Sequence, residues 1–226
     1  MESHFISELR WNSHETQKLF FEQAINGCEE FQVHVNTVLN TLKVGNNARP
    51  LTIETLSVAH VVTAVLNLFD PTKKHGYTIE HALSDALFVQ ADRQSLYQVL
   101  RNLLSNAFKY APSGTTITIS AFLLEHTDTP LLRIAVKDEG HGIPASDISL
   151  LFNRFVRLQR DLNSAVNGSG LGLYISKQLV EAMHGRIWVE SSGIDGEGSC
   201  FFVELPAAHP IVREPSDNVK QVPVGV

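Results

Sequence analysis

Asn102, Asn106 and Lys109 stand four and three residues apart in a stretch with helical periodicity. At i, i+4 and i+7 they share one helix face. A carboxamide oxygen is a hard ligand suited to magnesium, and a lysine ammonium suits phosphate. Downstream, Asp138 ends an apolar run and opens the turn Asp138-Glu139-Gly140-His141-Gly142-Ile143-Pro144. A carboxylate at that point can accept a hydrogen bond from the exocyclic amine of adenine. Gly140 and Gly142 would let a flat ring lie against backbone. Further on, Gly168-Ser169-Gly170-Leu171-Gly172-Leu173 leads straight into a helical pattern. Exposed N–H groups and the helix dipole make such a terminus a phosphate site. Each element alone is unspecific: a single asparagine is more often a buried amide, and Asp-x-Gly is an ordinary turn. The three together, in this order, argue for a nucleotide pocket.

Between the two glycine turns lies Leu151-Phe152-Asn153-Arg154-Phe155-Val156-Arg157. Phe152 and Phe155 fall on one side and read as anchors of a lid. Arg154 and Arg157 fall on another, where one or both can reach phosphate. Residues 158–168 are long and polar for a connection, which suggests a mobile lid over a phosphate loop.

The elements that must position these groups follow from periodicity. Asp92 can cap a helix running to about Tyr110, with Leu96, Val99, Leu100, Leu103, Leu104, Ala107 and Phe108 at helical spacing. Residues 115–124 and 131–137 alternate as strands across a polar turn. Residues 51–54, 77–81 and 87–90 read as short strands, and 58–69 as a helix ended by Asp70-Pro71. Residues 145–156 read as a short helical stretch after Pro144. A helix follows the second glycine turn over 173–183, with Gly185 as a C-terminal cap. Residues 186–190 and 200–205 read as a hairpin around a glycine-rich loop. Helices and strands come in clusters rather than strict alternation, which favours an α+β sandwich over a doubly wound parallel sheet.

Ahead of this region, Phe21, Ile25, Cys28, Gln32, Val35, Leu39 and Leu42 form a near-continuous seam. The spacing predicts one long helix over 15–44, of the kind found in a helical hairpin or a dimer coiled coil. Gly45-Asn46-Asn47 and Pro50 then mark the domain boundary. The expected organisation is a helical segment over 1–49, a nucleotide-binding domain over 50–206, and a disordered, proline-dotted tail over 207–226.

Composition narrows the class. With 226 residues, 43% hydrophobic and 19% charged, the chain reads as globular with ample length for a core. A net charge of −6 supplies no basic field, so no nucleic-acid partner is expected. The longest apolar stretch, 56–69, is interrupted by His60 and Asn67 and is too short for a bilayer. Glu2, His4 and Glu8 precede any apolar run, so no signal peptide is read. Cys28 and Cys200 lie far apart and suggest neither a disulfide framework nor a zinc site, which fits a reducing cytoplasm.

Residues 98–110 (Gln-Val-Leu-Arg-Asn-Leu-Leu-Ser-Asn-Ala-Phe-Lys-Tyr) resemble the N-box of sensor histidine kinases. Residues 138–144 resemble their first glycine box, 151–157 the F-box and 168–173 the second glycine box. Gly196-Glu197-Gly198-Ser199-Cys200-Phe201 is similar to the closing glycine turn before the last strand. The resemblance spans about residues 50–206, with every box in order. It implies the Bergerat fold, a mixed sheet layered against helices, and it implies ATP with Mg2+. By that resemblance Asn106 holds the metal, while Asn102 and Lys109 approach the phosphates. Tyr110 lies near adenine and Asp138 binds its amine. Gly140, Gly142, Gly168, Gly170 and Gly172 shape the nucleotide loops. Ile143, Phe155, Leu171 and Leu173 complete the nucleotide-binding set, and Asn102, Lys109 and Arg157 are the groups expected to act in transfer. The run 168–173 becomes the hinge of an ATP lid. Glu139 departs from the asparagine common after the aspartate.

A kinase of this kind phosphorylates a histidine on a dimerisation hairpin and relays the group to a response regulator receiver domain. A homodimer through the N-terminal helical segment is therefore expected. His14-Glu15 is the only histidine followed by an acid, yet Thr16-Gln17-Lys18 departs from the acceptor motif. The acceptor is expected outside this chain. Another reading keeps the same fold but a different class: a nucleotide-gated interaction module without kinase turnover.

Overall fold

The computed structural model describes residues 50–69, 76–124, 130–158 and 169–208. The long helix expected over 15–44, most of the polar lid including Gly168, and residues 209–226 of the expected tail lie outside the described residues. The chain divides after Pro50, and from Leu51 on the described residues form one unit.

The unit is a seven-stranded mixed sheet with helices on one face, the expected α+β sandwich. β1 (Ile53–Ser57) pairs antiparallel with β3 (Phe88–Asp92) at one edge. At the other edge β2 (Thr78–Ala82) lies parallel to β4 (Thr116–Leu124). Between them run β5 (Leu131–Lys137) and β7 (Cys200–Ala208), with β6 (Arg186–Glu190) also paired to β7. The strand order is β1-β3-β7-β5-β4-β2.

Strand alternation decides the layers. Ile117 and Ile119 of β4, Leu132, Ile134 and Val136 of β5, and Val203 and Leu205 of β7 all face the core at 0–1% exposure. α1 (Val58–Leu66), α2 (Arg93–Tyr110) and α4 (Gly172–Ala182) cover that face. On the outer face Arg133 and Arg186 both pair with Glu204, and Trp188 stacks on Phe202 with ring centroids 5.0 Å apart.

α2 is the element the site depends on. Asp92 accepts from the Ser95 N–H and the Ser95 hydroxyl, both at 2.9 Å, through Oδ1. Its Oδ2 accepts from the Thr52 N–H at 3.0 Å. One carboxylate thereby starts α2 and ties down the entry to β1. Burial of Leu96, Val99, Leu100, Leu103, Leu104 and Ala107 then orients the helix. Its opposite margin carries Asn102, Asn106 and Lys109, each half-buried.

The structure revises several expected boundaries. The helix after Pro144 is only α3 (Ala145–Ile148), not 145–156. Leu150, Leu151 and Asn153 each donate to a carbonyl three residues back, so the chain continues as successive turns. Phe155 then takes a left-handed φ of 61°, which a helix cannot continue through. β1 begins and ends later than 51–54, because Ser57 both closes the strand and caps α1 by accepting from the His60 N–H. α1 ends at Leu66 rather than 69. β7 runs through Pro206 to Ala208 rather than stopping at 205. Pro206 falls between two partners on that side, β6 through Glu204 and β3 from Ala207, so its missing N–H interrupts neither ladder.

At the end of α4 the left-handed residue is His184 (φ 61°), not Gly185. The Gly185 N–H returns to the Val180 carbonyl at 2.9 Å and the His184 N–H to Glu181 at 3.0 Å, a Schellman arrangement. Gly185 is needed for a different reason: a Cβ there would overlap the Glu204 carbonyl of β7.

Asp92→Ala removes the α2 cap and strands two buried donors. It is expected to cost about 1–3 kcal/mol of stability. Urea unfolding checks this: the midpoint should fall with the slope unchanged.

Candidate functional site

Asp138 follows the last residue of β5 and is 4% exposed. A buried carboxylate needs donors. Its Oδ1 accepts from the Gly140 N–H at 2.9 Å and the Ser199 N–H at 3.3 Å, and its Oδ2 from the Ser199 hydroxyl at 2.6 Å. The Asp138 N–H donates to the Ser199 carbonyl at 2.9 Å, continuing the β5–β7 pairing one step beyond Lys137↔Cys200. Ser199 is thus a site residue that the sequence reading left without a role. Its place in the closing glycine turn was the available signal, but the contact itself depends on strand register.

The glycines are fixed by close approach. A Cβ on Gly140 would stand 2.6 Å from the Tyr110 carbonyl at the end of α2 and 2.9 Å from Asp138 Oδ1. Gly142 (φ 68°) lies against the backbone of the β6–β7 loop, 2.8 Å from the Ile194 carbonyl by the same measure. Both backbone constraints exclude larger residues. The Gly140 carbonyl accepts from the N–H groups of Gly196 and Gly198, both at 3.0 Å. The first glycine turn and the closing glycine turn are therefore one interlocked unit. Ile143 is buried within it, and its N–H donates to the Ser191 hydroxyl at 2.9 Å. His141 Nδ1 sits 2.5 Å from Asp195 Oδ1 on the exposed rim.

The second cluster forms where α2 meets α4. Asn102 Nδ2 donates to the Ser176 hydroxyl at 3.0 Å, and Ser176 is 1% exposed. Asn102 Oδ1 lies against Gly172, where any Cβ would overlap it. Gly172 and Ser176 are one turn apart on α4, so a single carboxamide grips the first turn of that helix. Asn106 follows one turn along the same face of α2. Lys109 Nζ lies 5.5 Å from the centre of the Tyr110 ring. Ser176 also escaped the sequence reading. Its i+4 spacing from Gly172 was the only hint.

The F-box segment reaches the second glycine turn through backbone. A Cβ on Gly170 (φ 68°) would stand 2.8 Å from the Phe155 carbonyl carbon and 2.8 Å from the Val156 carbonyl oxygen. Phe152 packs against the core, whereas Phe155 is 71% exposed, so the two rings do not share an environment. Arg154 donates to the Tyr174 hydroxyl at 2.6 Å and lies over its ring, while Arg157 is half-buried. Leu171 is buried at the start of α4 and Leu173 packs on the core, so both hold the turn rather than lie open.

Of the expected site residues, Asn102 is brought to Gly172, and Asp138, Gly140 and Tyr110 meet through backbone and carboxylate. Gly142 and Ile143 join the β6–β7 loop, and Gly170 joins residues 155–156. A depression of about 360 Å³ beside the closing turn is lined by Lys137, Glu190, Glu197 and Cys200 among others, and by none of the expected site residues. Burial, with Glu190 nearby, pushes the Cys200 thiol up to about 11, so it stays protonated at neutral pH.

Among the described residues, no helix is long and apolar enough to cross a membrane, and no three His, Cys, Asp or Glu side chains gather to hold a metal.

The sensor histidine kinase WalK of Bacillus subtilis (strain 168) is 33% identical over 202 residues, covering 89% of this chain and 32% of that protein. WalK of Staphylococcus haemolyticus (strain JCSC1435) is 30% identical over 172 residues, 76% of this chain and 28% of that protein. The chain thus spans about a third of the length of these curated relatives. Full-length ShkA in complex with AMPPNP superposes with a TM-score of 0.66 at 28% identity, over 85% of this chain and 39% of that one. The catalytic domain of the histidine kinase ThkA superposes with a TM-score of 0.55 at 26% identity, over 69% of this chain and 96% of that one. Residues 91–209, which contain both clusters, match a family profile. The chain belongs to the histidine kinase-, DNA gyrase B-, and HSP90-like ATPase family.

Proposed function

We propose that this chain is the ATP-binding catalytic part of a sensor histidine kinase, passing the γ-phosphoryl group of ATP to a histidine of a dimerisation hairpin for relay to a response regulator receiver domain. The observation that carries the reading is the grip of Asn102 on Gly172 and Ser176. It sets the polar margin of α2 beside the N-terminus of a glycine-led helix, two elements about seventy residues apart in sequence. The sensor histidine kinases it is similar to support the same reading.

In this reading Asp138 accepts from the adenine amine and Tyr110 flanks the base. Gly140, Gly142 and Ile143 form the surface beneath it. Gly168, Gly170, Leu171, Gly172 and Leu173 shape the phosphate loop at the start of α4, with Phe155 and Arg157 at the lid. Asn102 and Lys109 approach the phosphates. Transfer forms a bond from an unprotonated imidazole nitrogen to the γ-phosphorus as the bond to the bridging oxygen breaks, and ADP leaves. The chain's contribution is positioning and cationic stabilisation, not covalent chemistry.

The donor set fits magnesium. Asn106 offers a neutral hard oxygen one turn from Asn102, and a metal that keeps waters and takes substrate phosphates needs no carboxylate cage. Magnesium would neutralise charge building on the phosphate oxygens. Dimerisation through the N-terminal segment and a cytoplasmic site of action belong to the same proposal.

Incubation with labelled ATP and a separate hairpin bearing an acceptor histidine is expected to place acid-labile phosphate on the hairpin and none on this chain alone. Nucleotide binding with no transfer in any combination would favour a nucleotide-gated module instead. Asn106→Asp places a carboxylate beside the phosphates and should weaken productive magnesium–ATP binding by about tenfold or more. Calorimetric titration with and without magnesium reads this, and an unchanged affinity would count against Asn106 as the metal ligand. Asp138→Asn keeps one acceptor oxygen and replaces the other with an N–H₂, which cannot accept from a donor. ATP affinity is expected to fall by about tenfold or more, and retention of full affinity would remove Asp138 from the base-binding role.

A further inference from the structure

Ser191 follows the end of β6, outside every sequence motif singled out above. Its hydroxyl accepts from the Ile143 N–H at 2.9 Å and the Gly193 N–H at 3.3 Å, and donates to the Gly198 carbonyl at 2.7 Å. From there the links close on the carboxylate. The Gly198 N–H donates to the Gly140 carbonyl at 3.0 Å, and the Gly140 N–H donates to Asp138 Oδ1 at 2.9 Å. The neighbouring Ser199 supplies the remaining two bonds to Asp138. One hydroxyl on the loop after β6 therefore joins the exit of the first glycine turn, at Ile143, to the closing turn that holds the carboxylate.

Gly198 leaves no slack in this arrangement. It is buried, has a φ of 69°, and a Cβ there would overlap the Asp138 carbonyl. Any shift of Gly198 is transmitted directly to the Asp138 backbone. The Ser191 hydroxyl bonds the carbonyl of this same residue, so it acts at the point where the closing turn presses on Asp138.

We propose that Ser191 is a positioning residue for nucleobase selectivity: it fixes the direction in which the Asp138 carboxylate faces the base, and so sets the preference for a 6-amino purine over a 6-oxo purine. The inference rests on the ATP-site reading and deepens it. A buried acceptor discriminates a donor from an acceptor on its ligand only while it cannot rotate or recruit water. The ring of bonds through Ser191 removes that freedom. Ser191 itself touches no base in this arrangement.

The test uses the whole chain and compares the binding of ATP with that of inosine triphosphate, in which a carbonyl replaces the 6-amine. The wild-type protein is expected to prefer ATP by at least about tenfold. Ser191→Ala should lower that ratio by about 3- to 10-fold, the size of one net hydrogen bond. Ser191→Thr keeps the hydroxyl at a partly exposed position and should restore the ratio. Thermal melting is recorded on every variant, because a merely structural role would lower the melting temperature and weaken both nucleotides equally. An unchanged ATP-to-inosine-triphosphate ratio in Ser191→Ala overturns the proposal while leaving the Asp138 reading intact. A wild-type protein with no preference would instead sink the Asp138 reading and this inference with it.

Discussion

The structure around the site depends on burying one carboxylate. Asp138 is removed from water at the end of a core strand, where an ionised group without donors would not be tolerated. Its three donors come from Gly140 and Ser199, which lie two and sixty-one residues away. Satisfying it therefore requires β5 and β7 to be adjacent and in one register. A slip of one residue on β7 would turn Ser199 to the other face of the sheet. It also requires Gly198 to lack a side chain, because the Asp138 backbone occupies that space. Strand order, register and the choice of glycine in the closing turn are consequences of the same buried charge.

The hydrophobic effect does separate work at the other cluster. α2 is held by a stripe of leucines and Val99 against the sheet beside β1, β3 and β5, and that burial fixes its rotation about its own axis. Rotation decides what the polar margin presents. With Leu100, Leu103 and Leu104 inward, Asn102 and Asn106 fall at the boundary between core and solvent. An amide there keeps partial contact with protein donors and acceptors and stays open to a ligand. The Asp92 cap sets the phase of the helix, and the Asn102–Ser176 bond sets its relation to α4.

How much of this was legible in the sequence follows from the range of each signal. α2 was readable because its cap, its apolar stripe and its stop all lie within the helix or next to it. β5 and β6 were read to the residue, since each alternates cleanly between turn residues. The stretch after Pro144 misled because Phe152 and Phe155 recur at helical spacing, yet Phe155 adopts a left-handed backbone that no periodicity can reveal. Pro206 misled in the other direction. A proline usually ends a strand, and only the change of partner from β6 to β3 makes this one harmless. Ser176, Ser191 and Ser199 were invisible as site residues. Each acts through a contact spanning seven to seventy-four residues, and a serine has no local signature that distinguishes such a role. The types and order of the binding groups were local; the hydroxyls that hold them were not.

Glu139 shows why departures from a motif can be harmless beside the most constrained residue in the site. Asp138 points inward, so the next side chain along the extended backbone projects to the other side. Glu139 Oε2 there accepts from the Thr116 N–H at 2.9 Å, a bond to the first residue of β4. Thr116 heads the strand that pairs with both β2 and β5, so this carboxylate secures the start of an inner strand of the sheet. What Glu139 supplies at that position is an acceptor within reach of one strand N–H. Asp138 has no such latitude, because its three donors engage both carboxylate oxygens and an amide keeps only one acceptor oxygen.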